Sequence, residues 1–266
     1  MKDSALPQTR AGTMPFYMVQ LWLDVRRLYE LGRMLGLLRM RRPVNLPYLV
    51  HCALGELFQQ QAPRPFSVEN ENQSGRWIRV LGYADVPWEV LQELAKGFAS
   101  PAVYAICSWE RGASKPMPTL FPPGTRLAFA VRVCPVVRKA SAGRSSRGRT
   151  WKKGQELDVF LDAAWNQPDA RLDRESVYVA WLRRQMARSE KGGARLESVR
   201  ITRFSIERMI RRMQGAQRSV TVIQRPDVTF EGVLTVTSSE AFLRMLRRGI
   251  GRHTSFGYGM LKLRRA

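Results

Sequence analysis

Residues 230–265 read FEGVLTVTSSEAFLRMLRRGIGRHTSFGYGMLKLRR, and this stretch decides the fold of the second half of the chain. Apolar and polar residues alternate over 228–236, which predicts a β-strand. Thr237 and Glu240 form a capping box, which satisfies free N–H groups at a helix start and predicts a helix over 238–248. The stretch therefore begins with a strand that leads directly into a capped helix.

A glycine-rich loop, residues 249–259, joins that helix to a last predicted strand over 258–264. Glycine tolerates backbone conformations that other residues avoid, so the loop could approach a phosphate closely and donate N–H groups to it. A turn that merely joins two elements is the competing interpretation. The candidate phosphate-binding residues of this region are Arg247, Arg248, Gly249, Gly251, Arg252 and His253.

The charge of the chain indicates a polyanionic partner. Lys and Arg number 44 against 22 Asp and Glu, a net charge of +22, and most of the excess follows residue 125. Arginine makes up 36 of the basic residues. Its planar guanidinium binds phosphate in a bidentate manner and stacks on bases, whereas lysine would suffice for solubility. Nucleic acid is therefore the expected partner, and composition alone leaves DNA and RNA open.

Several other classes of protein are excluded by the sequence. No run approaches the roughly 18 apolar residues of a membrane span, and no apolar segment near the N-terminus resembles a secretory signal. Cys52, Cys107 and Cys134 lie far apart in apolar stretches, which indicates buried reduced thiols rather than metal ligands. We expect a cytoplasmic protein without membrane contact, metal or cofactor, and a disordered extension over residues 1–13.

The first half predicts the order βαββαβ, which is typical of a ferredoxin-like domain. The predicted elements are a strand over 16–23, a helix over 46–59 that Asn45 caps, hairpin strands over 64–71 and 75–82, a helix from Asp85 to about residue 98, and a strand over 102–110. This domain spans residues 14–114 and carries an arginine-rich insertion over 25–44. A proline-rich linker is expected over 115–125.

The second half predicts another unit of the same type over residues 126–266. Its predicted elements are a strand over 126–137, a helix over 174–189, strands over 195–203 and 228–236, and the capped helix and last strand named above. Two basic insertions interrupt it: a loop over 138–155, expected to be disordered until it binds RNA, and a helix over 205–216. The predicted fold class is α+β, with two tandem ferredoxin-like domains.

The C-terminal stretch resembles the signature of the RAMP superfamily, and most closely the CasE-like CRISPR repeat-processing endoribonucleases of type I-E systems and their type IV relatives. Members of that group end in a strand, a capped helix, a GIGR-type loop and an aromatic-Gly-x-Gly strand, and residues 232–262 match this order nearly end to end. Residues 47–58, PYLVHCALGELF, resemble the helix of the first domain, in which a His follows a Tyr by three residues. Residues 65–89 and 126–153 resemble the family more loosely.

The resemblance implies an RNA-cleaving enzyme that needs no metal. In that chemistry a 2′-hydroxyl attacks the adjacent phosphate and leaves a 2′,3′-cyclic phosphate and a 5′-hydroxyl. The implied substrate is the hairpin of a CRISPR repeat, and the implied partners are the crRNA and the other Cas subunits of an effector complex. Two alternatives stay open: a non-catalytic RAMP-type subunit that scaffolds guide RNA, and an unrelated DNA-binding protein.

By the same resemblance, His51 acts as the base or acid, and Tyr48 positions the RNA or donates a proton. Positions i and i+3 of a helix are neighbours about one turn apart, and a pKa of about 6.5 suits imidazole to proton transfer near neutrality. A half-buried histidine on an amphipathic helix is the competing interpretation. The insertion over 25–44 departs from the family pattern, and its arginines could supply the charge instead. The candidates are Arg26, Arg27, Arg41 and Arg42.

Two basic segments are expected to bind RNA. The loop over 138–155 offers Arg138, Lys139, Arg144, Arg147, Arg149, Trp151, Lys152 and Lys153, and its tryptophan could stack on a base. The predicted helix over 205–216 places Arg208, Arg211 and Arg212 on one face that could follow an A-form hairpin. The helix over 174–189 is interpreted as a solvated charged surface.

Overall fold

A computed structural model describes residues 15–37, 45–69, 75–167, 171–187, 192–212 and 220–266. Its first unit contains β1 (Tyr17–Asp24), α1 (Val25–Met34), α2 (Leu46–Phe58), β2 (Phe66–Glu69), β3 (Trp77–Ala84), α3 (Trp88–Phe98), α4 (Pro101–Tyr104) and β4 (Ala113–Pro116). The four strands form one antiparallel sheet in the order β2-β3-β1-β4. This is the predicted ferredoxin-like arrangement.

Strand β1 is an inner strand of this sheet, paired with β3 on one side and β4 on the other, and its alternating apolar side chains face the core. Val19, Leu21 and Leu23 are fully buried and belong to the cluster that also contains the apolar face of α2. Helix α1 follows at once because the Asp24 carboxylate accepts hydrogen bonds from the N–H groups of Arg26 and Arg27. Part of the arginine-rich insertion is therefore an ordered, capped helix, and residues 38–44 lie outside the described residues, as do residues 1–13.

Two local predictions in this unit are wrong. Residues 102–110 do not form the fourth strand, because Ser100 caps helix α4 and the chain turns again at Trp109–Arg111 before β4 begins. The end of the predicted domain and the first two residues of the predicted linker thus belong to the sheet. Asp85 does not cap the next helix either: α3 begins at Trp88, whose N–H donates to the Ser114 hydroxyl.

The second unit repeats the arrangement with longer connections. It contains β5 (Arg126–Val133), β6 (Val136–Arg138), β7 (Gly143–Arg144), β8 (Thr150–Trp151), β9 (Glu156–Asp158), α5 (Val159–Asn166), α6 (Arg174–Ala187), β10 (Ala194–Arg212), β11 (Val220–Val236), α7 (Ser239–Arg248) and β12 (Lys262–Arg265). The main sheet has the order β10-β11-β5-β12, so the fold class is confirmed. The N-cap of α7 is Ser238, whose hydroxyl accepts from the N–H of Ala241, rather than Thr237.

The predicted basic helix over 205–216 is wrong for residues 205–212, which form the end of strand β10. Residues 205–212 pair with 220–227 of β11, beyond the segment of β11 that pairs with β5. Exposed Phe204 and Ile206 alternate with polar neighbours, and this two-residue period suits a strand. Because successive residues of a strand face opposite sides, the single basic helical face does not form. Residues 213–216 lie outside the described residues.

The basic loop over 138–155 is folded, so the expectation of disorder is wrong. Strand β6 pairs with β9, and β7 pairs with β8 between them. We call these two successive strand pairs, residues 136–158, the basic arm. The Lys139 ammonium lies 4.3 Å from the centroid of the Trp151 ring and pairs with Asp162. The Trp151 ring also covers Gly143, where a Cβ atom would meet it at 2.6 Å. These contacts hold the arm in place before any ligand binds.

The two units pack against each other directly. The Tyr83 hydroxyl donates to the Leu261 carbonyl at 2.8 Å, and Lys262 pairs with Glu69 at 2.7 Å. Phe16 and Tyr83 of the first unit belong to the core cluster of the second. This packing brings the glycine-rich loop of the second unit onto the first. No helix in the described segments is long and apolar enough to cross a membrane.

Candidate active site

Helix α2 and the glycine-rich loop together form an aromatic cluster around His51. The Tyr48 and His51 rings lie one helical turn apart, with ring centroids 6.1 Å from each other. Phe256 of the loop stacks on Tyr48 at 5.8 Å and lies 4.8 Å from the His51 ring. The structure therefore brings both candidate catalytic residues of α2 to the junction of the two units.

Burial and a neighbouring charge keep His51 neutral. Burial lowers the pKa of His51 from its ordinary 6.5, and the positive charge of Arg64 lowers it further. Arg64 is exposed just before β2, where its guanidinium is open to a phosphate. A neutral imidazole beside an exposed arginine can accept a proton while the arginine binds the reacting anion.

Sequence reasoning missed both Arg64 and Phe256. Arg64 lies in no recognisable motif, so only the fold shows that it is near His51. Phe256 had a usable signal, since it is the aromatic residue of the Phe-Gly-Tyr-Gly segment. The aromatic-Gly-x-Gly pattern of the family resemblance includes this residue, but no role is predicted for its ring.

The glycines of the loop serve packing between protein atoms. At Gly257, with φ of 82°, a Cβ atom would lie 3.0 Å from the Cβ of Pro47, and at Gly249 the same distance separates it from Pro65. Gly251 lies against the Trp181 ring. A side chain at these positions would push the loop away from α2 and β2. The lack of a side chain at Gly249, Gly251 and Gly257 thus lets the loop pack closely on neighbouring protein atoms.

Glu156 anchors the loop from the other side. The His253 Nε2 atom lies 2.9 Å from one carboxylate oxygen of Glu156, and the Arg252 Nε donates to the other at 2.5 Å. Arg225 approaches the same carboxylate at 3.5 Å. Burial alone would raise the pKa of Glu156, but the hydrogen bonds and charges of His253 and Arg252 hold that pKa at about 2. His253, only 11% exposed, is thus a loop anchor, whereas Arg252 keeps nearly half of its side chain in solvent.

The other residues predicted to bind RNA fall into two groups: some make contacts within the protein, and the rest are exposed to solvent. Arg247 pairs with Asp85 and donates to the Pro15 carbonyl, so it joins the two units, whereas Arg248 is exposed at the end of α7. Lys139 and Trp151 hold the basic arm together. The predicted contacts that are exposed are Arg138, Arg144, Arg147, Arg149, Lys152, Lys153 and Arg208. The side chains of Arg211 and Arg212, and all of Arg41 and Arg42, lie outside the described part of the chain.

Arg26 and Arg27 occupy a different place from the His51 cluster. They line a cleft of about 390 Å³ together with Asp24, Glu30 and Arg76. Arg26 pairs with Glu30 at 3.1 Å, and Arg76 pairs with the buried Asp24 at 2.8 Å. The groups that surround His51 are instead Tyr48, Arg64 and Phe256. The structure does not bring these two arginines together with the histidine.

The three cysteines differ in burial. Cys107 and Cys134 are buried and Cys52 is half-buried, each as a free thiol. Burial raises the pKa of Cys107 to about 12, which makes its thiolate scarce at neutral pH. Across the described segments, no three His, Cys, Asp or Glu side chains gather in a group that could hold a metal ion.

Known proteins resemble this chain over most of its length. A family model described as CRISPR associated protein matches residues 16–265. The CRISPR-associated endoribonuclease Cse3 of Thermus thermophilus is 28% identical over 155 residues, which are 56% of this chain and 60% of that protein. The matched region therefore spans less than two thirds of that relative's length.

Two solved structures share the fold. Thermus thermophilus Cse3 bound to an RNA representing a pre-cleavage complex has a TM-score of 0.55 at 22% identity, with 94% of this chain and 99% of that chain covered. Cas6e from Escherichia coli str. K-12 has a TM-score of 0.55 at 19% identity, with 94% and 100% covered. Because the family model spans nearly the whole sequence, and the fold is that of Cse3 and Cas6e, the chain belongs to the CRISPR-associated protein family.

Proposed function

We propose that this protein is a metal-independent endoribonuclease that binds the hairpin of a CRISPR repeat and cuts precursor crRNA. The observation that carries the proposal is the His51 cluster, in which a neutral imidazole lies between Tyr48, Arg64 and Phe256. Such a group can take a proton near neutral pH without a metal-bound hydroxide. The similarity to an endoribonuclease of the same family supports this reaction class.

The reaction that suits this site is an internal transfer on the RNA. His51 accepts the proton of a ribose 2′-hydroxyl, whose oxygen attacks the adjacent phosphorus. The bond from phosphorus to the 5′-oxygen breaks, and Tyr48 donates a proton to that leaving oxygen. The products are a 2′,3′-cyclic phosphate and a 5′-hydroxyl. Arg64 binds the non-bridging oxygens, where negative charge grows in the transition state.

The basic arm and the exposed arginines hold the hairpin in this proposal. Six exposed cations of the arm and Arg208 of β10 offer phosphate contacts, and the arm is ordered in advance, so its binding loses less chain entropy than a disordered loop would. The protein then stays on the 3′ hairpin of its product as a subunit of an effector complex with other Cas proteins. The non-catalytic scaffold is the alternative that the following experiment separates.

Incubating the purified protein with repeat RNA in EDTA is expected to yield a 5′-hydroxyl fragment and a 2′,3′-cyclic phosphate. A single 2′-deoxy substitution at the scissile nucleotide should abolish cutting and leave binding intact, because it removes only the attacking oxygen. Gel mobility and end-group labelling measure both. Tight binding without any cut would favour the scaffold. Cutting of the 2′-deoxy substrate would contradict the proposed chemistry.

The pH dependence of cutting should depend on Arg64. The base form of His51 is required, so the rate rises with pH through the His51 pKa, and its midpoint should lie below 6.5 in single-turnover kinetics at subsaturating RNA. Arg64→Gln removes a charge that lowers this pKa, so the midpoint should move to higher pH. Arg195→Gln, at an exposed position of β10, is the matched control and should leave the midpoint unchanged. A midpoint that does not move in Arg64→Gln would exclude Arg64 as a neighbour of the base.

A further inference from the structure

Arginines and tryptophans alternate along one region of the first unit that the reaction does not use. The Arg111 guanidinium lies 3.8 Å from the centroid of the Trp22 ring and 5.9 Å from that of Trp77. Arg76 lies over Trp77 in turn, at 5.2 Å. We call these four residues, Trp22, Arg111, Trp77 and Arg76, the Arg–Trp ladder.

The ladder is on the face of the first sheet that points away from the helices. In the pairing of β1 with β3, Trp22 faces Arg79 and Asp24 faces Trp77, while the neighbouring positions Leu21 and Leu23 point into the buried core. Both tryptophans are half-buried, and Arg76 and Arg111 are exposed. Both large rings on this surface of the sheet thus lie against guanidinium groups.

The charges beside the ladder are arranged for an anion. Arg76 also lines the cleft of about 390 Å³ that holds Arg26 and Arg27, and these three arginines outnumber the two carboxylates there. Arg79, opposite Trp22, has a buried Nε that lacks a hydrogen-bond partner in the described structure. Guanidinium groups next to flat aromatic rings are complementary to a ligand with both flat faces and anionic groups.

Unpaired nucleotides have this combination of groups. Aromatic side chains and arginine planes on a sheet surface stack single-stranded bases in many RNA-binding domains, and stacking of this kind is tolerant of sequence. A hairpin stem cannot use it, because its bases are already stacked inside the duplex.

We propose that the Arg–Trp ladder binds unpaired nucleotides that flank the hairpin, with bases on Trp22, Trp77 and Arg111 and with phosphates on Arg26, Arg27 and Arg76. This site rests on the proposed RNA-binding function, and it is separate from the His51 cluster. It gives the protein a hold on the single-stranded part of its RNA, which the basic arm does not provide.

The test compares three RNA probes: a repeat hairpin, the same hairpin with an unpaired oligoadenylate tail at either end, and the same tail built from abasic nucleotides. The natural tail should tighten binding by about tenfold for each base that stacks, and the abasic tail should recover only a small part of that gain. Fluorescence anisotropy at fixed ionic strength measures the dissociation constants, because phosphate contacts vary with salt.

Two variants assign the gain to the ladder. Trp77→Leu and, in case that variant folds poorly, the exposed change Arg111→Glu should remove the benefit of the tail and leave the affinity for the bare hairpin unchanged. Phe98→Ala, at an exposed aromatic of helix α3, is the matched control and should keep the benefit. Equal affinities for tailed and bare hairpins in the unaltered protein, or a tail benefit that survives Arg111→Glu, would overturn the assignment. Failure to bind the hairpin at all would instead refute the proposed function.

Discussion

His51→Ala should slow single-turnover cleavage by about a hundredfold to ten-thousandfold and leave the affinity for the repeat hairpin unchanged. The imidazole is the group at the junction of the two units with a pKa suited to accept a proton, and removing a positioned base costs a reaction about this factor. Affinity should persist, because the cations that we propose to hold the hairpin lie elsewhere, on the basic arm and β10. Binding by anisotropy and cutting by quench-flow, on the same preparation, separate the two effects.

Glu56→Ala is the matched control for this experiment. Glu56 is an exposed residue of the same helix, so its loss tests for general damage to α2. The control should cut and bind like the unaltered protein. If His51→Ala cut at an unchanged rate, His51 would not be the base, and the arginine-rich insertion with Arg26 and Arg27 would become the better candidate for the catalytic charge.

Glu156→Ala should lower the free energy of unfolding by about 3 kcal/mol and also slow cutting. The carboxylate is buried and holds Arg252, His253 and Arg225, and removing one member of a buried ionic cluster leaves the other charges unpaired. The loop then loses its anchor, and Phe256 loses its fixed place against His51. Denaturant titration gives the stability, and single-turnover kinetics give the rate.

The fall of the free energy of unfolding at low pH provides a second measurement on Glu156. Its pKa falls from an ordinary 4.5 in the unfolded chain to about 2 in the folded protein, so its contribution is present above pH 4.5 and is lost as the pH drops toward 2. The variant should lose less stability than the unaltered protein over that interval. Glu197→Ala removes an exposed carboxylate that pairs with Arg126 and should change stability little. If Glu156→Ala changed neither the free energy of unfolding nor its dependence on pH below 4.5, Glu156 would not be the anchor of the loop.

Elements with a strong hydrophobic period were predictable from the sequence. The buried positions of β1 and α2 repeat at the spacing of a strand and of a helix, and a run of hydroxyl residues precedes the helix of the C-terminal stretch. These elements appear where predicted, although Ser238 and not Thr237 caps the last helix. The family resemblance implies the roles of His51 and Tyr48, and their spacing of one helical turn predicts that the two side chains lie close together. In each case the information is local, because it is contained in a few consecutive residues.

The remainder depends on contacts between distant residues. Residues 205–212 have arginines at helical spacing, yet their pairing with β11 makes them a strand, since tertiary pairing overrides a weak local preference. Glu156 and His253 are 97 positions apart, and Arg64 reaches His51 only because the chain reverses after α2. Such pairs leave no periodic signal in the sequence, so the anchor and the arginine beside the base could not be predicted.

The loop that completes the His51 cluster is made by the ribosome long after helix α2, which carries the histidine. Phe256 follows His51 by about two hundred positions, and Gly257 seats it against Pro47 of the first unit. A nascent chain that has folded only its first unit therefore carries the histidine without its aromatic cover. The proposed enzyme therefore becomes competent only after the ribosome has added the residues through the glycine-rich loop, so shorter nascent polypeptides do not cut cellular transcripts.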